Sequence, residues 1–385
     1  MIYFDNAATS FPKPVEVRRA VAEALENFGA NPGRGGHDMS LATAQEIYRC
    51  RLLLAEEMGL SQPENVIFTH NCTTAINMVM KGLLRRGDHV IISCLEHNAI
   101  ARTAAWLSEQ GVEYSIAEVV ENDPERTEKS FESLVRPHTR LIALTHASNV
   151  FGIALPVKSI ARMAKKHGVL TLVDGAQSGG ILPIHMEELG IDFLALAGHK
   201  GFYAPMGIGA LLLGTDHPLS SFVEGGTGSD SVNLRQPETL PDRFESGTPN
   251  VSGICGLRAG LEVVRTRTRA HILEHDTALL QTLYDRMRGM EDILLYTKRP
   301  KVGRCAPVLS FNVKGQNSEE VARGFNRFEI AVRAGLHCAP LAHAYMNTLR
   351  TGTVRIAPSF HNNVREVEYL LDCLQKIIKK TKKRP

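Results

Sequence analysis

The chain has 385 residues, 43% of them hydrophobic and 22% charged, with a formal net charge of +3. This length can bury a sizeable core and is typical of a large domain joined to a smaller one. The small net charge does not favour nucleic acid or a membrane surface as the main partner, and we expect neither.

The seven cysteines are scattered, odd in number and without a C-x-x-C pair. This pattern favours neither a disulfide framework nor a thiolate zinc site, so no metal is expected. The first residues lack the basic and apolar regions of a signal peptide. We therefore expect a reduced, cytoplasmic environment.

Between about residues 64 and 215, short apolar runs alternate with longer helical stretches. The runs are apolar along their whole length, as expected for strands covered on both faces of a mostly parallel sheet. A helix predicted at 160–167 ends before Gly168. The clearest predicted strands lie at 89–92, 141–144, 170–173, 193–196 and 210–213. The alternation predicts an α/β domain.

The pattern changes after about Gly253, where one long charged helical stretch is predicted at 257–290. Shorter strands follow at 308–313 and 354–357, and a final helix at 364–379. These elements predict a smaller C-terminal α/β domain, which the N-terminal segment joins. The predicted division is a large domain of residues 15–255 and a small domain of residues 1–14 and 256–385.

Polar side chains follow four of the predicted strands, and ligands of open α/β sheets bind outside these carboxyl ends. Taken singly, each side chain is more often a turn, cap or surface residue. Together they fit one ligand better than several coincidences. In chain order they are His97, Asn149, Asp174 with Gln177, and His199 with Lys200.

The residue types indicate what the ligand carries. The Lys200 amine suits a Schiff base with a carbonyl group, and the Asp174 carboxylate suits the protonated nitrogen of a heteroaromatic ring. Gln177 could donate to a phenolate oxygen of that ring, and His97 could stack on its face. A phosphate would fit the polar helix start within 68–77. There Thr73 or Thr74 is equally well interpreted as a simple helix cap.

The chain resembles the class V aminotransferase superfamily of fold-type I pyridoxal phosphate (PLP) enzymes, in its cysteine desulfurase and selenocysteine lyase branch. The resemblance runs along nearly the whole chain and depends on an ordered set of short motifs. They lie at 3–9, 34–37, 73–77, 96–97, 148–149, 173–177, 198–200, 245–250, 333–338 and 355. The resemblance implies PLP as the cofactor, and a large domain with a mostly parallel sheet of the seven-stranded type.

The resemblance also implies roles for the matching residues. Lys200 is the Schiff-base lysine, Asp174 the partner of the ring nitrogen, Gln177 the phenolate contact and His97 the stacking residue. Thr73, Thr74 and His199 match the phosphate site. Substrate-binding positions are matched by Asn149, Arg333, Arg355 and Arg34, with Arg355 as the clamp on the substrate carboxylate. Thr248 matches a residue that reaches the phosphate of the neighbouring subunit, which together with Arg34 implies a homodimer.

Cys338 matches the sulfur-accepting cysteine of this branch, although a free cysteine is often only a small buried hydrophobe. The stretch from Cys338 to Arg355 has no Gly/Ser-rich insertion, which resembles the branch that uses a separate sulfur-acceptor protein. Two positions depart from the family pattern. Ala197 stands where a serine or threonine usually binds the phosphate, and Gly33 stands where the short-loop branch tends to carry a histidine.

The resulting hypothesis is a PLP-dependent cysteine desulfurase. It would convert L-cysteine to L-alanine and leave a persulfide on Cys338, with Arg333 and His337 as candidates for stabilising its thiolate. The alternatives are a selenocysteine lyase, a class V aminotransferase or other PLP lyase without persulfide chemistry, and a PLP-binding scaffold for iron–sulfur cluster assembly. A nicotinamide dehydrogenase is disfavoured because the glycine-rich segments do not form G-x-G-x-x-G between a strand and a helix.

Overall fold

The structure is a computed structural model that describes residues 1–32 and 36–382. Its helices are α1 (Val15–Asn27), α2 (Asp38–Met58), α3 (Cys72–Leu83), α4 (Asn98–Glu109), α5 (Pro124–Glu132), α6 (Val157–Lys166), α7 (Met186–Leu189), α8 (Val251–Arg267), α9 (Arg269–Arg288), α10 (Ser318–Asn326), α11 (Pro340–Tyr345) and α12 (Val364–Lys382). Its strands are β1 (Ile2–Tyr3), β2 (Val66–Thr69), β3 (His89–Ser93), β4 (Glu113–Ala117), β5 (Thr139–Thr145), β6 (Leu170–Asp174), β7 (Phe193–Ala197), β8 (Gly209–Leu213), β9 (Ile293–Leu295), β10 (Leu309–Val313), β11 (Ile330–Ala331), β12 (Arg333–Gly335) and β13 (Thr353–Ile356).

The largest sheet of the described residues has seven strands in the order β2-β8-β7-β6-β5-β3-β4. Strand β8 runs antiparallel to both of its neighbours, and the remaining pairs are parallel. The prediction of a mostly parallel α/β sheet is therefore confirmed. All five clearest strands lie where the apolar runs predicted them, with one or two residues added at some ends.

Helices cover both faces of this sheet, which explains the continuous apolar runs. In β3, Ile91 packs in a cluster with residues of α2 and α6, whereas Val90 and Ile92 pack with residues of α3 and α4. Because successive side chains point to opposite faces, a strand buried on both sides needs an apolar residue at every position. Full burial of each such side chain contributes about 1.5–3 kcal/mol to folding.

The C-terminal part of the chain builds a second sheet, β12-β13-β10-β9, which is antiparallel. Residues of this sheet, α9, α10 and α12 form a core of their own. The N-terminal strand β1 pairs with β11, where Ile2 is opposite Ile330. The division into residues 15–255 and residues 1–14 with 256–385 stays a prediction, and residue 255 itself lies inside α8.

The single helix predicted at 257–290 is wrong, because α8 and α9 are two helices separated at Thr268. Thr268 has φ +60°, outside the helical region, so the chain turns there. Its hydroxyl accepts a hydrogen bond from the His271 N–H, which caps the start of α9. Neither glycine nor proline marks this break in the sequence.

The longest helices within residues 1–32 and 36–382, such as α2 and α9, are rich in charged residues. None of the helices there combines the length and the apolar character needed to cross a bilayer.

Candidate active site

An open cavity of about 780 Å³ lies at the carboxyl ends of β3, β5, β6 and β7. It is lined by nine of the residues selected from the sequence: Thr73, His97, Asn149, Asp174, Gln177, His199, Lys200, Arg333 and Arg355. The strand ends that the sequence placed together therefore meet at one cavity, as expected for an open α/β sheet.

Lys200 follows three residues after the end of β7 and is the lysine of this cavity. Burial lowers the pKa of its amine, while the nearby Asp174 carboxylate acts in the opposite direction. A lowered pKa increases the fraction of uncharged amine, which is the form that attacks a carbonyl group or accepts a proton.

Asp174 is the last residue of β6 and is 3% exposed. Its Oδ1 accepts hydrogen bonds from the Ala176 N–H at 2.9 Å and from the Cys72 thiol at 3.3 Å. The described residues give no donor to Oδ2, so this oxygen is left for a ligand. Cys72 was missed from the sequence because a cysteine in the first turn of a helix has the signature of a small apolar residue.

His97 precedes α4, and its Nδ1 accepts the Ala99 N–H at 3.0 Å. It therefore caps the helix while its ring lines the cavity. An accepting Nδ1 leaves the proton on Nε2, so the imidazole is neutral. Burial also lowers the pKa of His97, which favours the same neutral form. A neutral, fixed ring is suited to stacking on an aromatic ligand.

Glu96 joins the carboxyl ends of the neighbouring strands β3 and β5. Its Oε1 accepts from the Ser93 N–H and hydroxyl on β3, and from the Thr145 N–H on β5 at 2.9 Å. Burial raises the pKa of Glu96 to about 8, so at neutral pH this carboxyl group is mostly protonated.

The start of α3 supplies the proposed phosphate end of the cavity. Asn71, rather than Thr73 or Thr74, is the helix cap, because its Oδ1 accepts the Thr74 N–H at 2.9 Å. Thr73 lines the cavity, whereas Thr74 hydrogen-bonds Asn71 and lines a neighbouring cavity. Of the two threonines, the structure brings only Thr73 to this site.

Ala197 and His199 also line this cavity. Ala197 offers no hydroxyl to a phosphate, unlike the serine or threonine that the family pattern has at this position. Nδ1 of His199 is buried without a hydrogen-bond partner in the described part of the chain. Burial lowers the pKa of His199 to about 4, so the ring is neutral near pH 7.

Gln177 and Asn149 both use their side-chain amides within the protein. Gln177 Nε2 donates to the Ala7 carbonyl at 2.9 Å, which holds the N-terminal segment against the site. Asn149 Nδ2 donates to the His337 carbonyl at 2.7 Å. The other amide atom of Asn149, Oδ1, is buried and finds no partner in the described residues.

Arg355 on β13 is 1% exposed, which is rare for an arginine. Its Nη2 pairs with Asp5 at 2.6 Å, and its Nη1 donates to the Asn149 carbonyl at 2.9 Å. Nε is buried without a partner among residues 1–32 and 36–382. Arg333 lies on the neighbouring strand β12 and also lines the cavity, so two guanidinium groups favour an anionic ligand there.

Cys338 is exposed and lies in a short loop after β12. Two backbone carbonyls of this loop accept hydrogen bonds. The His337 carbonyl accepts from the Asn149 side chain, and the Cys338 carbonyl accepts from the Asn98 N–H at 2.7 Å. His337 and Cys338 have φ +50° and +57°. This left-handed conformation costs non-glycine residues free energy and persists only where surrounding contacts offset that cost. The loop therefore presents the thiol in a defined place.

The charge near this thiol comes from Arg333, whose Nη2 lies 3.9 Å from Sγ. The expectation that His337 also contributes charge is wrong. Burial and the neighbouring Arg355 lower the pKa of His337 to about 2, so its imidazole is neutral near pH 7 and adds no positive charge.

A second open groove of about 740 Å³ contains Cys338 and shares Thr73, His97 and Ala99 with the cavity. The groove and the cavity are therefore adjacent, and Cys338 lies at the mouth of the site. Lys81, Arg102 and Trp106 also line this groove.

Thr248 does not line this cavity but belongs to the neighbouring one, together with Phe68 and Thr74. Its segment is anchored by Glu245, which pairs through both carboxylate oxygens with Arg51 at 2.8–2.9 Å and accepts the Phe68 N–H at 2.6 Å. Arg34, the other residue predicted at a shared site, lies outside the described residues, as does Gly33.

Residues 2–370 match the family model described as aminotransferase class-V. The chain belongs to this family. Its enzymes use PLP, and the cavity fits that group: a lysine amine, a carboxylate with a free oxygen and a helix start surround one space. Unpartnered buried atoms of Asn149, His199 and Arg355 at the same cavity are ready to bind a polar ligand. No group of three potential metal ligands occurs among the described residues.

Curated relatives match over almost the whole chain. The chain is 33% identical to a probable cysteine desulfurase of Methanothermobacter thermautotrophicus, covering 98% of this chain and 94% of the relative. It is 31% identical to a cysteine desulfurase of Escherichia coli, covering 98% and 93%.

Solved structures give the same result. The apo structure of a cysteine desulfurase from Thermococcus onnurineus superposes with a TM-score of 0.91 at 30% identity, covering 98% of this chain and 95% of the other. A cysteine desulfurase from Escherichia coli with an S-sulfonic acid superposes with a TM-score of 0.86 at 25% identity, covering 98% and 94%. The predicted PLP fold-type I architecture is confirmed.

Proposed function

We propose that this protein is a PLP-dependent cysteine desulfurase that converts L-cysteine to L-alanine and keeps the sulfur as a persulfide on Cys338. The observation that carries the proposal is the position of an exposed, loop-held thiol at the mouth of a cavity that contains Lys200 and Asp174. The similarity to cysteine desulfurases over 98% of the chain supports the same chemistry.

The places of these residues around the cavity support the cofactor contacts that the family pattern implies. Lys200 would hold the aldehyde carbon of PLP, Asp174 Oδ2 the ring nitrogen and His97 the ring face. Gln177 would contact the phenolate oxygen, and Thr73 with His199 the phosphate. Bound PLP would withdraw electrons from the substrate and so weaken the bonds at its α-carbon.

Arg355 would bind the substrate carboxylate, with Arg333 and Asn149 beside it. Asp5 and the Asn149 carbonyl already fix two nitrogens of the Arg355 guanidinium, which leaves Nε free. A guanidinium that is held in place before the substrate arrives loses less conformational entropy on binding.

Lys200 would act as the base at the α-carbon once its amine is no longer bound to the cofactor. Burial lowers the pKa of this amine, which increases the fraction of neutral amine that can accept the proton. The proton that the amine accepts is available for return to carbon in the alanine product.

The Cys338 thiolate would attack the sulfur of the substrate, forming an S–S bond as the substrate C–S bond breaks. The products are L-alanine and the Cys338 persulfide, and no external oxidant or reductant is needed. Arg333, 3.9 Å from Sγ, would stabilise the thiolate.

A second copy of the chain would complete the site in a homodimer. Thr248 would serve the phosphate of the partner copy, which agrees with its place outside the cavity of its own chain. Arg34 would lie at the shared site. The Cys338 persulfide, on its short loop, would pass the sulfur to a separate acceptor protein.

The proposal is tested with protein loaded with PLP and supplied with L-cysteine, while alanine and sulfide are assayed. We expect Cys338→Ala to abolish sulfur release, and Cys305→Ala, which removes another cysteine that is not fully buried, to behave as wild type. Undiminished alanine formation by Cys338→Ala would remove Cys338 from the mechanism. Lys200→Ala that still held PLP through a borohydride-reducible bond would rule out Lys200.

A further inference from the structure

Cys72 is a buried thiol of the candidate active site to which the proposed reaction gives no task. It is the first residue of α3, is 7% exposed and lines the cavity. Its Sγ lies 3.3 Å from Oδ1 of Asp174, within the range of a hydrogen bond from sulfur.

The thiol in this pair is the donor. Burial and the adjacent Asp174 carboxylate raise the pKa of Cys72 well above its ordinary range, so the sulfur keeps its proton. A carboxylate can only accept, and therefore the S–H points to Asp174. A thiol that remains protonated is a poor nucleophile, which separates Cys72 from the exposed Cys338.

The thiol and the Ala176 N–H bind the same carboxylate oxygen, Oδ1. Two donors on Oδ1 fix the rotation of the carboxylate group about its bond to the β-carbon. Oδ2, which has no donor among the described residues, is then the oxygen that can meet a ring nitrogen. The helix start, which we assign to the phosphate, and the strand end at Asp174 are thus linked through one side chain.

We propose that Cys72 is a positioning residue for PLP, which orients the Asp174 carboxylate toward the ring nitrogen through its S–H. The proposal rests on the proposed function for the identity of the ligand. It adds that the affinity for PLP and the protonation of its ring depend on a hydrogen-bond donor at position 72.

The test uses the full-length protein, from which PLP is removed and to which it is then added back. The dissociation constant of PLP and the pH dependence of the visible absorption of bound PLP are measured without substrate. We expect Cys72→Ala to weaken PLP binding about five- to tenfold and to shift the pH midpoint of the absorption. Cys72→Ser keeps a donor of similar size and should stay within about twofold of wild type.

Cys50→Ala is the matched control, because Cys50 is also a buried helical cysteine but does not line the cavity. It should change neither measurement. If Cys72→Ala does not fold, Cys72→Val fills the space without a donor and takes its place. Wild-type affinity and absorption in the donor-free variant would overturn the proposal. A loss of affinity in Cys72→Ser as large as in the donor-free variant would overturn it as well. Failure of the wild-type protein to bind PLP would instead contradict the proposed function itself.

Discussion

Arg355 and Asp5 form an ion pair of 2.6 Å although 350 residues separate them in the sequence. Arg355 is almost fully buried, whereas Asp5 is partly exposed in the N-terminal segment. Asp5 is also bridged to Ala357 through the backbone, so the pair lies where the N-terminal segment meets β13. We therefore infer that Asp5 orients Arg355, the arginine that would bind the substrate carboxylate.

Asp5→Asn should raise KM for L-cysteine about tenfold, because the uncharged amide holds the Arg355 guanidinium less firmly. The absorption of bound PLP should remain, since Asp5 does not line the cavity. Steady-state kinetics with alanine detection measure the change. Asp285→Asn, which removes a carboxylate from the exposed ion pair with Arg299, is the control. An unchanged KM in Asp5→Asn would separate Asp5 from substrate binding.

Arg333→Gln should slow alkylation of Cys338 by iodoacetamide about three- to fivefold at pH 7. The reason is that the guanidinium 3.9 Å from Sγ favours the thiolate, which is the reactive form. The alkylation rate is followed by mass spectrometry of the peptide that contains Cys338. Arg102→Gln changes an arginine of the groove that contains Cys338 and should leave the rate unchanged. Equal rates in wild type and Arg333→Gln would show that Arg333 does not stabilise the thiolate.

The strands and the cavity could be predicted from the sequence because both depend on local patterns. Apolar runs fixed the positions of the strands, and the carboxyl-end rule then placed His97, Asp174 and Lys200 together. The roles of Cys72 and Asp5 could not be predicted, because each depends on a contact with a residue more than 100 positions away. The neutral state of His337 was missed because it depends mainly on burial, which is a property of the folded chain.

Glu96→Gln should flatten the dependence of stability on pH between about pH 6.5 and about pH 8.5. The folded-state pKa of Glu96, about 8, is above its ordinary value, so the folded protein binds this proton more tightly than the unfolded chain does. Its contribution to stability is therefore complete below the unfolded pKa and is lost as the pH rises toward about 8.

Urea denaturation of wild type and Glu96→Gln at both pH values measures this effect. The difference between the two proteins isolates Glu96 from other groups that titrate in the same range. We expect wild type to lose about 2 kcal/mol more than the variant across this window. Parallel pH profiles would contradict the assignment of a protonated Glu96.

Glu245→Gln should lower the free energy of unfolding by about 3 kcal/mol, because it leaves the buried Arg51 guanidinium without its carboxylate partner. Urea denaturation gives the value. Glu238→Gln removes an exposed carboxylate that pairs with Arg243 and should cost less than about 1 kcal/mol. Equal effects of the two substitutions would contradict the structural role of the Arg51–Glu245 pair.

The proposed function depends above all on the transfer of sulfur from L-cysteine to Cys338. The most direct test mixes PLP-loaded protein with L-cysteine, without reductant or acceptor, and determines by mass spectrometry which cysteine gains sulfur. We expect one added sulfur atom on the peptide that carries Cys338, with alanine formed in equal amount. Alanine or keto acid formed without sulfur on Cys338, or sulfur found on another cysteine in the Cys338→Ala variant at an undiminished rate, would contradict it.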